Sequence, residues 1–273
     1  MFLIPEYAFI RRAMLVGVLV SLCAALLGVS LVLKRYSMIG DGLSHVGFGA
    51  LAVATAMKAA PLTVSIPVVV LAAFLLLRLS ENSKIKGDAA IALISTSSLA
   101  IGVAVVSLTT GMNTDVCNYM FGSILAMKKD DVTLSVVLTV VVLVLYLLFY
   151  HKIFAVTFDE NFAKATGTKT GVFNMMLALL TAVTIVLGMR MMGALLISSL
   201  LIFPALTSMR LCKKFRSVVL CSAVVSTVCF FIGVVLSYMA PRGLPTGASV
   251  VIINIAAFLL FWIVSTLKVR IKK

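Results

Sequence analysis

The chain has 273 residues, of which 62% are hydrophobic and only 12% charged; a soluble domain of this length would carry about twice that charge. Its net charge of +14 comes from 23 Lys and Arg against 9 Asp and Glu. The basic residues fall between apolar runs and form no basic face with interleaved aromatics, so composition excludes a soluble domain and a nucleic-acid binder and leaves an integral membrane protein.

The apolar residues gather into runs of about 18–25, long enough to cross a hydrocarbon core of about 30 Å as helices. None alternates as a barrel strand would, so the expected fold is an all-α polytopic membrane bundle. In chain order the predicted spans cover about 10–33, 38–57, 62–79, 89–109, 132–150, 171–189, 191–209, 217–239 and 247–267. The first run ends at Lys34-Arg35 without a cleavage site and reads as an uncleaved span. A short hinge at Gly188-Met189-Arg190 could join two runs into one broken crossing, so eight or nine transmembrane helices are expected. They form one membrane domain over residues 1–273, with no appended soluble domain.

If the first span runs outside to inside, sixteen of the 23 basic residues fall on the cytoplasmic side. The positive-inside rule then sets an extracytoplasmic N-terminus and a cytoplasmic C-terminus. Residues 111–127 are too short and mixed for a span and read as a re-entrant or interfacial helix at the outer mouth. Asp115 and Glu6 read as solvated loop groups there, and Asp130 and Asp131 as an interfacial cluster with Lys128 and Lys129. Asp88 reads as an N-cap, His151 as a cation at a helix C-terminus, and Pro204 as a kink within its span. The five cysteines form no CxxC pair and read as small buried hydrophobes, and the fourteen methionines are scattered rather than set in a thioether line.

Two places carry chemistry. Asp41 and His45 are the acid and the histidine lying well inside a predicted span, and a spacing of four puts them on one helix face, one turn apart. Ionisable groups at that depth are costly in hydrocarbon and mark functional sites, and a carboxylate beside an imidazole is half of a divalent-metal site. Gly40, Gly42, Gly47 and Gly49 remove bulk around the pair, while Ser44 lies off its face and reads as an interhelical hydrogen-bonder. The second place is the cytoplasmic loop 157–169. Asp159 can cap a short helix, with Phe162 and Ala163 on one face and Gly167 as its stop. A solvated two-turn helix with an apolar edge implies something that docks on it.

These residues resemble the membrane permease subunit of the bacterial zinc/manganese ABC importers. The likeness rests on four segments in order: Ser37-Met38-Ile39-Gly40-Asp41-Gly42-Leu43-Ser44-His45, Phe121-Gly122-Ser123-Ile124-Leu125, the Phe158-Asp159-Glu160 loop running through Ala163 and Ala165 to Gly167, and 193–205 through Pro204. It departs at Gly42, where that family often carries a bulkier residue. The resemblance implies a type II ABC importer-like bundle in the bacterial plasma membrane, paired with a second permease copy, either identical or a close paralogue. A cytoplasmic ABC ATPase subunit would dock through a coupling helix near 157–169, using Phe158, Asp159, Glu160, Ala163 and Gly167. An extracytoplasmic metal-binding protein would deliver Zn²⁺, Mn²⁺ or Fe²⁺ to Asp41 and His45, with no cofactor permanently bound.

The chain carries no Gly-x-x-x-x-Gly-Lys-Ser/Thr loop, so a partner must hydrolyse the ATP and this subunit is not itself an enzyme. A secondary, ion-coupled metal transporter is the alternative, but that class needs several intramembrane carboxylates and this chain supplies essentially one. A membrane zinc protease would need a HExxH-like motif, whereas His45 and His151 are the only histidines and lie far apart.

Overall fold

The computed structural model describes residues 8–82, 87–109, 129–239 and 244–271. These form α1 (Ala8–Leu33), α2 (Met38–Ala56), α3 (Pro61–Asn82), α4 (Gly87–Thr109), α5 (Lys129–Leu148) and α6 (Tyr150–Phe158). The short α7 (Glu160–Ala165) follows, then α8 (Thr170–Met192), α9 (Ala194–Leu211), α10 (Phe215–Met239) and α11 (Thr246–Ile271), with no strand among the described residues. The re-entrant helix expected at 111–127 lies outside the described residues.

Among the described residues seven helices are long and apolar enough to cross a membrane singly, and α5 with α6, bent by 68°, makes an eighth. The nineteen-residue α2 is the remaining predicted span. Asp41, Ser44, His45 and four glycines make it less apolar than the others, yet thirteen of its residues are buried. Lipid tails are as apolar as leucine, so burial here marks protein neighbours rather than hydrophobic drive. The apolar stretch of α1 is 72% buried and that of α11 only 11%, which puts α1 at the centre and α11 at the periphery. α2 packs against α3, α4, α8 and α9, and α1 packs against α8, α9 and α10.

Small residues set the closest crossings. A Cβ at Gly49 would lie 2.6 Å from the Ser98 carbonyl oxygen on α4, and one at Gly28 would overlap the Leu201 carbonyl on α9. The glycines around Asp41 act as expected: Gly40 faces Leu201, Gly42 faces Ile91 and Gly47 faces Met189.

Three local expectations are corrected. The break between the spans near 190 falls at Gly193, not at Gly188–Arg190; α8 stays helical to Met192, where only Gly193 can take φ 87°. α5 ends before Phe149, so His151 sits in the first turn of α6 rather than at a helix C-terminus. α4 already includes Gly87, which puts Asp88 inside its first turn rather than at its cap.

Candidate functional site

α2 begins at Met38, and Asp41 in its first turn complements the positive end of the helix dipole. One turn on, His45 Nε2 lies 3.6 Å from Asp41 Oδ2. Two ligands of a tetrahedral ion with bonds of about 2.0–2.1 Å stand about 3.4 Å apart, so the pair needs almost no rearrangement to share one cation. The Asp41 and His45 side chains are 46% and 23% exposed, on a helix otherwise largely buried. Both therefore open onto a free side of the protomer rather than into its core. Among the described residues no cluster of three or more His, Cys, Asp or Glu is placed to hold a metal.

Ser44 is buried and donates to its own helix at Asp41 O, 2.7 Å away. It also stands 3.5 Å from the Ser198 hydroxyl on α9, the interhelical contact its position implied. Ser198 is the residue that sequence reasoning passed over: its hydroxyl donates to Ala194 O at 3.1 Å on its own helix and stands beside Ser44, next to the Asp41–His45 pair. The small-residue start of α9 after the Gly193 break was visible in the sequence, but nothing there tied it to α2.

The 157–169 loop forms as the residue types direct. Asp159 is extended and its side chain accepts from the Phe162 amide at 2.9 Å, an N-cap for α7. Gly167 takes φ 79°, and the Gly167 and Thr168 amides return to Lys164 O and Ala163 O, a Schellman closure. Phe162 and Ala163 do not share a face. Adjacent helical residues point about 100° apart, so Ala163 is fully buried while Phe162 is 65% exposed beside the exposed Phe158.

Glu160 turns inward instead of outward. Its carboxylate faces Lys34 at 3.8 Å, Lys164 at 3.2 Å and the Asn174 amide at 3.4 Å. Burial pushes the Glu160 carboxyl up, but the hydrogen bonds from Lys164 and Asn174 and the Lys34 charge outweigh it and hold the group below its ordinary value. The structure thus keeps Asp41 and His45 in one group and the loop residues in another, with the α1–α2 corner and α8 both lying between them.

A profile of the ABC 3 transport family matches residues 6–265. The chain belongs to that family. The high-affinity zinc uptake system membrane protein ZnuB of Haemophilus influenzae is 31% identical, with 91% of this chain and 94% of the relative covered. The manganese import system permease protein ScaB of Streptococcus gordonii is 25% identical over 95% of this chain and 92% of its own. The solved structure of PsaBC from Streptococcus pneumoniae in complex with Fab superposes with a TM-score of 0.83 at 26% identity, covering 94% of this chain and 92% of that one. In this ABC 3 family member the fold is therefore that of a polytopic transport permease.

Proposed function

We propose that this chain is the membrane-spanning permease subunit of an ATP-driven importer that carries a divalent transition metal, Zn²⁺, Mn²⁺ or Fe²⁺, into the cytoplasm. The observation that carries the reading is the Asp41–His45 pair, 3.6 Å apart on an open face of a buried helix, in a family whose relatives include zinc and manganese permeases. One protomer offers two ligands, too few for firm binding. Two copies about a two-fold axis would supply two carboxylates and two imidazoles, a four-ligand set suited to Zn²⁺ and, with added water, to Mn²⁺ or Fe²⁺. Two carboxylates also neutralise one divalent cation, which offsets its desolvation. The ion is cargo, so binding must stay weak enough for release.

ATP hydrolysis belongs to a separate cytoplasmic subunit, which docks on the α7 loop. The exposed rings of Phe158 and Phe162 supply the apolar contact, while Asp159, Ala163 and Gly167 hold the loop's shape. An extracytoplasmic binding protein delivers the metal at the opposite side of a bacterial plasma membrane.

The test is reconstitution of the chain with its ATPase and binding protein in liposomes, with Zn²⁺ and Mn²⁺ uptake measured side by side. Uptake should require ATP, and Asp41→Asn or His45→Ala should abolish it while leaving the ATPase bound. Full uptake in both variants would remove the metal-site assignment, and uptake driven by a proton or sodium gradient without ATP would move the chain to the secondary transporters.

A further inference from the structure

Lys34 is the cation just beyond the last residue of α1, and its side chain is only 8% exposed. It reaches away from its own helix to two partners more than a hundred residues on: it donates to the Asn174 side-chain oxygen at the start of α8 and pairs with Glu160 of α7 at 3.8 Å. Asn174 closes the triangle by donating from its amide nitrogen to the same Glu160 carboxylate oxygen. Three segments meet at this partly buried polar knot: the end of α1, the docking loop and the first turns of α8.

The chain leaves Lys34 through a stiff corner. Arg35 is held at φ 63°, a conformation costly for a residue with a Cβ. The Tyr36 amide returns to Leu31 O at 2.8 Å, and Ile39 N bonds Tyr36 O at 3.0 Å as α2 begins. Asp41 lies in the first turn of α2 and His45 one turn further. A rigid connection of seven residues therefore runs from a charge gripped by the docking loop to the first residue of the candidate metal pair. A knot built only for stability would gain little from a charged centre, since an ion pair with one partner open to solvent contributes little. A charged tie is instead directional, and it fails when either partner withdraws.

We propose that Lys34, gripped by Glu160 and Asn174, is a positioning residue that ties the docking loop to the start of α2, so that displacement of the loop is passed to Asp41 and His45. The proposal rests on the functional reading above. It gives Glu160 an internal role, distinct from the exposed aromatic contacts of Phe158 and Phe162.

The experiment is a double-mutant cycle in the reconstituted complex, with Lys34→Met, Glu160→Gln and both together. Three quantities are measured: ATPase subunit retained on purification, ATP hydrolysed, and Zn²⁺ or Mn²⁺ taken up per ATP. The ATPase subunit should stay bound in all three variants. Uptake per ATP should fall at least about fivefold, the lower range for couplings between sites, and the double variant should be no worse than either single one. Glu160→Gln, at a carboxylate already 38% exposed, carries the same expectation should Lys34→Met fail to assemble. Wild-type uptake per ATP in the single variants would overturn the tie, and so would strictly additive losses or loss of the ATPase subunit itself. A wild-type complex with no ATP-dependent uptake would defeat the functional reading and this proposal together, whereas normal wild-type uptake with unaffected variants defeats the tie alone.

Discussion

Gly49→Ala is the substitution whose effect the packing around Asp41 and His45 specifies most closely. Gly49 lies one turn beyond His45, and the added methyl would stand 2.6 Å from the Ser98 carbonyl oxygen and 3.3 Å from its carbon. Both atoms belong to the backbone of α4, so neither can swing aside as a side-chain tip would. Ordinary contact begins near 3.4 Å, and α2 must therefore move off α4 by about 0.8 Å. Overpacking of this kind costs about 1–3 kcal/mol. Alanine recovers part of that through its higher helix propensity, worth about 0.8–1.0 kcal/mol over glycine, so the steric cost is read against a control. At Gly171, near the start of α8, a Cβ meets nothing within 4 Å, and Gly171→Ala carries the propensity change without the clash. Measured as thermal unfolding in detergent at one scan rate, Gly49→Ala should melt roughly 2–10 °C below Gly171→Ala. Reconstituted metal uptake should fall with it, because His45 rides on the displaced helix. A Gly49→Ala protein that melts at or above the Gly171→Ala control would refute the close α2–α4 crossing and the account of small residues at the site.

Gly167→Ala should loosen the docking loop although no atom lies within 4 Å to clash. The cost of about 1–2 kcal/mol is conformational, from φ 79° at a residue with a Cβ, and would appear as faster amide exchange at Thr168 and weaker retention of the ATPase subunit. Glu160 is held below its ordinary value of 4.5, so its contribution to stability is complete above that value and is lost as pH falls through the depressed one. The stability gap between wild type and Glu160→Gln should accordingly be flat at neutral pH and close below about pH 4.5; a gap that widens on acidification would contradict the Lys34 and Lys164 pairing. Replacing Phe162 by Ala should weaken ATPase retention without lowering the melting temperature, since its ring is 65% exposed. Loss of stability there would mean the ring packs within the chain.

Class, helix positions and both candidate sites are legible in the residues because each rests on local chemistry. Runs of 18 or more apolar residues have one way to satisfy their backbones in lipid, which is why α1, α3, α4 and α8 to α11 lie close to the predicted spans. Asp41 and His45 share a face through helical periodicity alone, and the ends of α7 follow from Asp159 and Gly167, whose preferences are those of one turn of chain. Belonging to the ABC 3 transport family was likewise visible in ordered motifs.

The tertiary structure decided what depends on neighbours distant in the chain. Nothing local to Glu160 says that it faces Lys34 and Asn174 rather than water, or that Ser198 reaches Ser44 across 154 residues of sequence. The break at Gly193 instead of Gly188 was open for the same reason: both are glycines, but only Gly193 takes the left-handed backbone, while Gly188 is held in helix against Ile197 and Val20. Periodicity and capping act over a few residues and are written into the chain, whereas the partner of a side chain is fixed only once helices far apart in sequence have packed.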